Sequence, residues 1–260
     1  MKFFEFPAAE LEFFSQAGHL EGRQLSLEVL DRAGVFVVRG LLPAPRAASY
    51  LQAYEAALSE GSAKARQNHL TEVSFELDSP LANVLFEPEF AALAAQIFER
   101  GAGLHNIRVV RKDENNREPV FVHQDSPYCL GFFERYSAFL ALTPCGAQNG
   151  GLFVYPGTHH LGYLGDAGAI HGDLTNPLYR FTPELGPGDC LLMHSAIWHG
   201  STRHESSVPR VMYDIQIQPV VDPSSMISLS DRPLSKWRLR LENKEIFSTS
   251  RVQRGTTASK

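Results

Sequence analysis

The sequence predicts an α+β fold, mainly β, in which N-terminal helices cover one face of a β-sandwich or barrel. Residues 7 to 100 carry mainly helical patterns. From residue 104 onward, short segments rich in β-branched and aromatic residues alternate with Gly, Pro, Asn and Asp turns. Helices followed by strands are typical of an α+β domain, and seven or more closely spaced strands are typical of a sandwich or barrel.

Four helical patterns precede the strands. Pro7 opens a short one, "SLEVLDRAG" ends at Gly34, "APRAASYLQAYEAALSEG" stops at Gly61, and "EPEFAALAAQIFERG" runs from Pro88 to Gly101. A single strand, "VFVVRG", follows the second pattern. We therefore expect a helical part over about residues 1 to 103.

The strands are expected over about residues 104 to 220. The seven segments that predict them are "LHNIRVVRK", "PVFVHQD", "RYSAFLALT", "GLFVYPG", "DCLLM", "WHGSTRH" and "RVMYDIQIQP". A chain of 260 residues is within reach of one large domain. The prediction is one domain over residues 1 to 250, with a polar, flexible tail at 251 to 260.

Composition restricts the function. Hydrophobic residues make up 43% of the chain and charged residues 20%, which excludes a disordered chain, a coiled coil or a disulfide scaffold. The net charge of -5 gives no electrostatic reason to bind nucleic acid or an anionic membrane, so the expected partner is a small molecule.

The cysteine pattern and the apolar segments bear on location. Cys129, Cys145 and Cys190 are odd in number and widely spaced, so we interpret them as reduced thiols. Acidic residues interrupt the apolar N-terminus, and no stretch approaches the length of a membrane span. The expectation is a cytoplasmic protein.

The stretch "FVHQDSPY" places two possible metal ligands in a predicted strand. His123 and Asp125 are two residues apart, so both point to the same side of that strand. Two other interpretations are open: a hydrogen-bonded polar pair at a strand end, or an Asp125 that caps a turn before Ser126 and Pro127.

A second stretch, "GDCLLMHSAIWHGSTRHESSVPRVMYDIQIQP", supplies a third ligand. His199 is the best candidate, Ser201 shares its strand face, and a hairpin turn at "HESSVP" is expected to return the chain at Arg210. One face of the returning strand is apolar, and the other carries Arg210, Met212, Asp214, Gln216 and Gln218, of which all but Met212 are polar. The polar face predicts either a wet pocket inside a barrel or an exposed edge strand.

Two histidines and one carboxylate leave up to three positions open on an octahedral ion, as in non-haem Fe(II) oxygenases. A guanidinium nearby, with a hydroxyl such as Ser201, could hold a dicarboxylate co-substrate. This chemistry accounts for Arg210.

These residues resemble the phytanoyl-CoA dioxygenase family of Fe(II)- and 2-oxoglutarate-dependent oxygenases, over about residues 25 to 220. The family pattern is His-x-Asp on an early strand and a distal His on a late one, followed by Ser or Thr two residues and Arg eleven residues later. "NGGLFVYPGTHHLG" and "GPGD" resemble further family turns. Gln148 departs from the pattern, since many members carry an acidic residue there.

The resemblance implies a double-stranded β-helix, a cupin-like jelly-roll of two sheets with N-terminal helices buttressing the larger sheet. It implies that Fe(II) binds His123, Asp125 and His199, and that 2-oxoglutarate binds Arg210 and Ser201, with Phe139 as an aromatic wall. The implied reaction uses O2, releases succinate and CO2, and hydroxylates or otherwise oxidises a small molecule. Further residues expected to line the pocket are Asn106, Arg108, Tyr128 and Gln216.

Two alternatives remain at this point: a cupin-like isomerase or lyase that uses the metal without oxygen, and a binding barrel without catalytic activity. The first does not need an Arg and a Ser at a fixed distance from the distal histidine. The second is not expected to keep both an intact metal triad and an intact Arg. His159 and His160 are interpreted as loop residues, and His194 as lying outside the metal site. The substrate is not predicted by any motif.

Overall fold

The computed structural model describes residues 8 to 67, 70 to 125, 134 to 164, 169 to 171, 175 to 234 and 236. Tyr128, Cys129 and the predicted tail lie outside these residues. In the described part of the chain, no helix combines the length and hydrophobicity needed to cross a membrane.

The four predicted helices are confirmed. They are α1 Ala8–Ser15, α2 Leu27–Ala33, α3 Ala44–Ser59 and α4 Pro88–Ile97. The clearest boundaries belong to α2: the Ser26 hydroxyl accepts from the Val29 amide at 3.3 Å, and Gly34 ends the helix in the left-handed conformation.

Twelve strands are present among the described residues. They are β1 Glu21–Gly22, β2 Val35–Val38, β3 Lys64–Gln67, β4 Thr71–Ser74, β5 Ala102–Lys112, β6 Val120–His123, β7 Tyr136–Ala141, β8 Leu152–Tyr155, β9 Cys190–His194, β10 Trp198–Ser201, β11 Arg210–Pro219 and β12 Ile227–Ser228. All seven segments expected after residue 104, and the earlier "VFVVRG", contain one of these strands. The prediction of strand positions is thus confirmed.

The strands form two sheets, as a jelly-roll requires. The larger sheet has the order β1-β2-β9-β7-β11-β5-β4-β3, with β12 also paired to β5, and the smaller sheet has the order β6-β10-β8. The expectation of a single strand before residue 100 was wrong, because β1, β3 and β4 also join the larger sheet. All four residues of β3 are exposed, so this strand has no apolar alternation for sequence reasoning to detect.

Helices pack on the outer face of the larger sheet, as predicted. One apolar cluster joins Tyr50 and Tyr54 of α3 and Phe90 of α4 to Val211 and Tyr213 of β11. A second cluster fills the space between the sheets and includes residues of β2, β7, β8, β9 and β11. The molecule therefore has three layers, and the interior between the sheets is distinct from the core beneath the helices.

The strand β11 lies in the middle of the larger sheet, between β7 and β5. Its apolar face contributes Val211, Tyr213, Ile215 and Ile217 to the cluster beneath the helices. Its polar face is therefore turned to the interior between the sheets and is buried there. The interpretation of β11 as an exposed edge strand is thereby excluded.

The predicted hairpin between His199 and Arg210 was wrong. The strand β10 belongs to the smaller sheet and β11 to the larger one, so the connection crosses from one sheet to the other. Such crossings are how a jelly-roll places successive strands on opposite sides of its interior. As a result, His199 and Ser201 come from one wall and Arg210 from the other.

Candidate metal centre

Two histidines come from directly paired positions of the smaller sheet. His123 on β6 is the register partner of His199 on β10, and their ring centroids are 4.3 Å apart. Asp125 lies just beyond the end of β6, and its Oδ1 is 3.7 Å from His123 Nε2 and 3.5 Å from His199 Nε2. Their ligand atoms all lie within 4.8 Å of one another, so a single ion could contact all three.

Backbone carbonyls orient both imidazole rings. The Nδ1 atom of His123 is 2.8 Å from the Phe121 carbonyl oxygen, and that of His199 is 3.1 Å from the Ile197 carbonyl oxygen. A carbonyl only accepts, so each Nδ1 carries a hydrogen, and each Nε2 is the atom that can bind a metal ion once its own proton is lost. This is the arrangement that fixes the tautomer of metal-binding histidines.

The Asp125 carboxylate is held from the opposite wall. Ser137 on β7 donates its hydroxyl to Asp125 Oδ2 at 2.9 Å, which leaves Oδ1 facing the histidines. Burial alone would raise the pKa of Asp125, but the charge of His199 and hydrogen bonds from both histidines lower it well below its usual value. The group is therefore an ionised carboxylate, suited to a divalent cation.

Replacing Ser137 with alanine is expected to weaken Fe(II) binding by about tenfold to a hundredfold, because partners that orient a ligand have effects of that size. Anaerobic Fe(II) titration would measure the change. The control is Ser228→Ala, which removes a partly buried hydroxyl on β12. Equal affinities in the two variants would contradict an orienting role for Ser137.

Arg210, the first residue of β11, is a buried guanidinium with little compensation. It is 1% exposed, and its NH1 group donates to the Gly150 carbonyl oxygen at 2.7 Å. Its Nε is buried without a hydrogen-bond partner, and no carboxylate within the described ranges forms an ion pair with it. A buried unpaired cation is costly, so its presence indicates an anionic ligand.

Ser201 ends β10, two residues after His199, and is also buried. Its hydroxyl oxygen accepts from the Val120 amide at 3.3 Å, so its own hydrogen can be donated to a ligand. An Arg, a Ser and a metal cluster on the facing inner walls suit a ligand with a carboxylate at one end and metal-binding oxygens at the other.

A family model described as "Phytanoyl-CoA dioxygenase (PhyH)" matches residues 30 to 212 of this chain. The chain belongs to the phytanoyl-CoA dioxygenase family. This membership makes it a 2-oxoglutarate-dependent non-haem iron enzyme, an oxidoreductase whose cofactors are Fe(II), 2-oxoglutarate and O2.

Solved structures share the fold of this dioxygenase family member. The α-ketoglutarate-dependent epimerase SnoN of nogalamycin biosynthesis, with Fe3+, α-ketoglutarate and nogalamycin RO, has a TM-score of 0.64, is 22% identical, and aligns over 87% of this chain and 91% of its own. The carbocyclase SnoK of the same biosynthesis has a TM-score of 0.65 at 16% identity, over 77% and 86% of the chains. EctD from S. alaskensis, with 2-oxoglutarate and 5-hydroxyectoine, has a TM-score of 0.66 at 20% identity, over 75% and 77%. At these identities the likeness shows the jelly-roll fold.

Three of the predicted pocket residues of this family member lie on adjoining strands of the larger sheet. Asn106 on β5 and Gln216 on β11 are register partners. Among the described residues, neither side-chain amide has a hydrogen-bond partner. Phe139 on β7 is buried in the cluster between the sheets, opposite Asp214. These three residues are placed where they could line a pocket between the sheets. The fourth, Tyr128, lies outside the described residues.

Arg108 faces the interior but is already paired. Its NH2 group is 2.7 Å from Asp214 Oδ2, and its NH1 group is 3.1 Å from Glu72 Oε2. Burial lowers the pKa of Arg108, but the two carboxylates outweigh burial and raise it. Arg108 is therefore a paired residue of the wall, with 29% of its side chain exposed.

His194 lies apart from the metal cluster. Its ring is 5.4 Å from the ring of His159 and 5.2 Å from that of Tyr136, and its Nδ1 accepts from the Ala196 amide. Burial, together with His159 and His160, lowers its pKa to about 4. His194 is thus a neutral, hydrogen-bonded side chain.

Sequence reasoning missed Ser137, which holds Asp125. One signal was available for Ser137. It lies two residues before Phe139 on β7, so both side chains point to the same, inward face. Its partner Asp125 is 12 residues earlier in the chain, so the contact itself had no local signal.

Proposed function

We propose that this enzyme oxidises a small organic molecule, most simply by hydroxylation, and converts 2-oxoglutarate to succinate and CO2. The observation that supports this best is the pairing of a histidine, aspartate and histidine cluster with an uncompensated buried arginine on the facing wall. The proposed catalytic domain spans residues 1 to 250.

His123, Asp125 and His199 would hold Fe(II), since neutral imidazoles and one carboxylate on one side of the ion leave its other positions open. Arg210 and Ser201 would bind the distal carboxylate of 2-oxoglutarate. When both are bound, iron and 2-oxoglutarate supply the oxidising chemistry with O2. The protein's own residues bind, orient and shield these reactants.

The wall beside the metal cluster is mixed in character. Phe121 shares the inward side of β6 with His123, its ring is 5.4 Å from the His123 ring, and it is 40% exposed. Asn106 and Gln216 offer amide groups from the larger sheet. We expect a substrate with an apolar surface and some hydrogen-bonding oxygens.

The alternatives are less well supported. A metal-dependent isomerase or lyase without oxygen has no use for an unpaired buried guanidinium facing the metal-bearing strands. A barrel that only binds has no use for a complete set of metal ligands. Relatives that carry out epimerisation and carbocyclisation share this fold. The fold therefore accommodates several reactions, of which hydroxylation is the simplest.

Wild-type protein with Fe(II), 2-oxoglutarate and O2 is expected to form succinate. The Asp125→Asn variant is expected to bind Fe(II) at least about tenfold more weakly, because the neutral amide does not attract the cation as the carboxylate does. A residue too small to bind the metal would free a position for chloride, whereas the Asp125 carboxylate fills that position. With Asp125 in place, mass spectrometry of reactions run with chloride should show no chlorinated product.

Glu184→Gln is the matched control. It makes the same change from carboxylate to amide at a residue outside the metal cluster, whose Oε1 accepts from the Ala147 amide. Absence of succinate from the wild type with a broad set of candidate substrates would argue against the oxygenase. A chlorinated product, or normal iron binding by Asp125→Asn, would refute the role of Asp125 as a ligand.

A further inference from the structure

One carboxylate oxygen of the interior wall has no partner. Asp214 lies in the middle of β11, and its side chain is 1% exposed. Its Oδ2 accepts from Arg108 Nε at 2.8 Å and is 2.7 Å from the NH2 group of the same side chain. Its Oδ1 is buried and has no hydrogen-bond partner among the described residues. A buried acceptor without a donor is costly, so this oxygen points to a ligand.

The charge around Asp214 is not balanced. Arg108 is shared with a second carboxylate, because its NH1 group is 3.1 Å from Glu72 Oε2. When both carboxylates are ionised, these three side chains carry an excess negative charge. Burial raises the pKa of Asp214, and Arg108 offsets this only in part. A donor from a bound molecule would stabilise the ionised form.

The strand register places Asp214 beside the metal cluster. Gln216, two residues further along β11, is the register partner of Asn106 on β5 and of Ser137 on β7. Ser137 donates to Asp125, so this row of residues faces the metal cluster. Asp214 shares the same face and lies about 7 Å away along the strand, because side chains two residues apart point the same way.

The neighbours of Asp214 are polar on one side and apolar on the other. The amides of Asn106 and Gln216, which have no partner among the described residues, can each donate and accept. Phe139 on β7 is the register partner of Asp214 and supplies an apolar surface. This wall suits a polar group that is carried on an apolar frame.

Neither co-substrate can supply the missing donor. Both carboxyl groups of 2-oxoglutarate are ionised at neutral pH, so it has no N–H or O–H group to donate, and O2 has none either. An anion placed against Asp214 would add repulsion in a poorly screened interior. The donor therefore belongs to the substrate or to a water molecule.

We propose that Asp214 is a specificity-determining residue whose Oδ1 accepts a hydrogen bond from a hydroxyl or ammonium group of the substrate. Asn106 and Gln216 bind the same polar region of the substrate, and Phe139 contacts its apolar frame. The substrate class is a small apolar ring or chain that carries a donor group, and a carboxylate in that place is disfavoured. This inference rests on the proposed function, since the molecule bound here is the one to be oxidised.

The test uses small probes that share a cyclohexane ring. Cyclohexanol and cyclohexylammonium carry a donor, methoxycyclohexane carries only an acceptor, and cyclohexanecarboxylate is an anion. Binding is measured anaerobically by ligand-observed NMR on protein loaded with Fe(II) and 2-oxoglutarate, after both loadings have been checked. The wild type is expected to bind the donor probes at least about tenfold more tightly than the ether and the carboxylate. The tighter donor probe identifies the type of donor group.

Asp214→Asn is expected to reverse this preference. Arg108 holds the remaining oxygen of the amide, so the NH2 group takes the place of Oδ1 and donates to the ligand. Donor probes should bind about tenfold more weakly than to the wild type, and methoxycyclohexane should bind more tightly. Glu72→Gln makes the same change at the other carboxylate paired with Arg108 and should keep the wild-type preference. If Asp214→Asn does not fold, the wild-type comparison still tests the inference.

A wild type that binds all the probes alike, prefers the ether or the carboxylate, or binds none of them would overturn the inference and leave water as the partner of Asp214. An unchanged preference in Asp214→Asn would overturn it as well. A wild type that fails to bind Fe(II) or 2-oxoglutarate would instead overturn the proposed function itself. The two failures are therefore distinguishable.

Discussion

Replacing His199 with alanine is expected to abolish tight Fe(II) binding and succinate formation. Loss of a partner that only orients a ligand typically costs about tenfold to a hundredfold, so loss of the ligand itself should exceed about a hundredfold in affinity. His199 is 3% exposed, and its Nε2 lies 3.5 Å from Asp125 Oδ1. No other described histidine joins His123 and Asp125 in the cluster, so no neighbour can replace it.

The matched control is His194→Ala, which removes a partly buried histidine only five residues earlier in the sequence. It should keep most of the Fe(II) affinity, because His194 contacts Tyr136 and His159 and is not part of the metal cluster. Anaerobic Fe(II) titration and a succinate assay on both variants would check this. The reverse pattern would mean that the distal ligand is misassigned.

Arg210→Lys is expected to weaken 2-oxoglutarate binding although the charge is kept. Arg210 donates one hydrogen bond to Gly150 and still has Nε and further N–H groups to offer a carboxylate in a planar fork. Lysine loses that geometry and about one charge-assisted hydrogen bond, which costs about 1 to 3 kcal/mol, or roughly tenfold to a hundredfold in affinity.

The measurement is the Michaelis constant for 2-oxoglutarate, with direct anaerobic binding as a second readout. Arg203→Lys is the control, since Arg203 is an exposed arginine paired with Glu118, and an exposed ion pair contributes little. An unchanged constant in Arg210→Lys would remove Arg210 from the co-substrate site, whereas a rise in both variants would indicate a general loss of stability.

The strands and helices were predictable because their signals are local. The alternation along β11 separates Val211 and Tyr213 from Asp214 and Gln216, and the folded chain places these two sets in different layers. Ser26 and Gly34 mark the ends of α2 for the same reason: a cap or a left-handed residue acts within one turn of the chain. The spacing of His123, Asp125, His199 and Arg210 carried the family resemblance in the same way.

By itself, the sequence determined which segments become strands, which faces are apolar and which residue types the metal chemistry needs. Only the tertiary structure decided that β10 and β11 lie in different sheets, that Ser137 holds Asp125, and that Lys112 is opposite Arg210. The physical reason is that periodicity along a strand sets the direction of a side chain, whereas its neighbours depend on register and sheet membership. Those are decided by contacts between residues far apart in the chain.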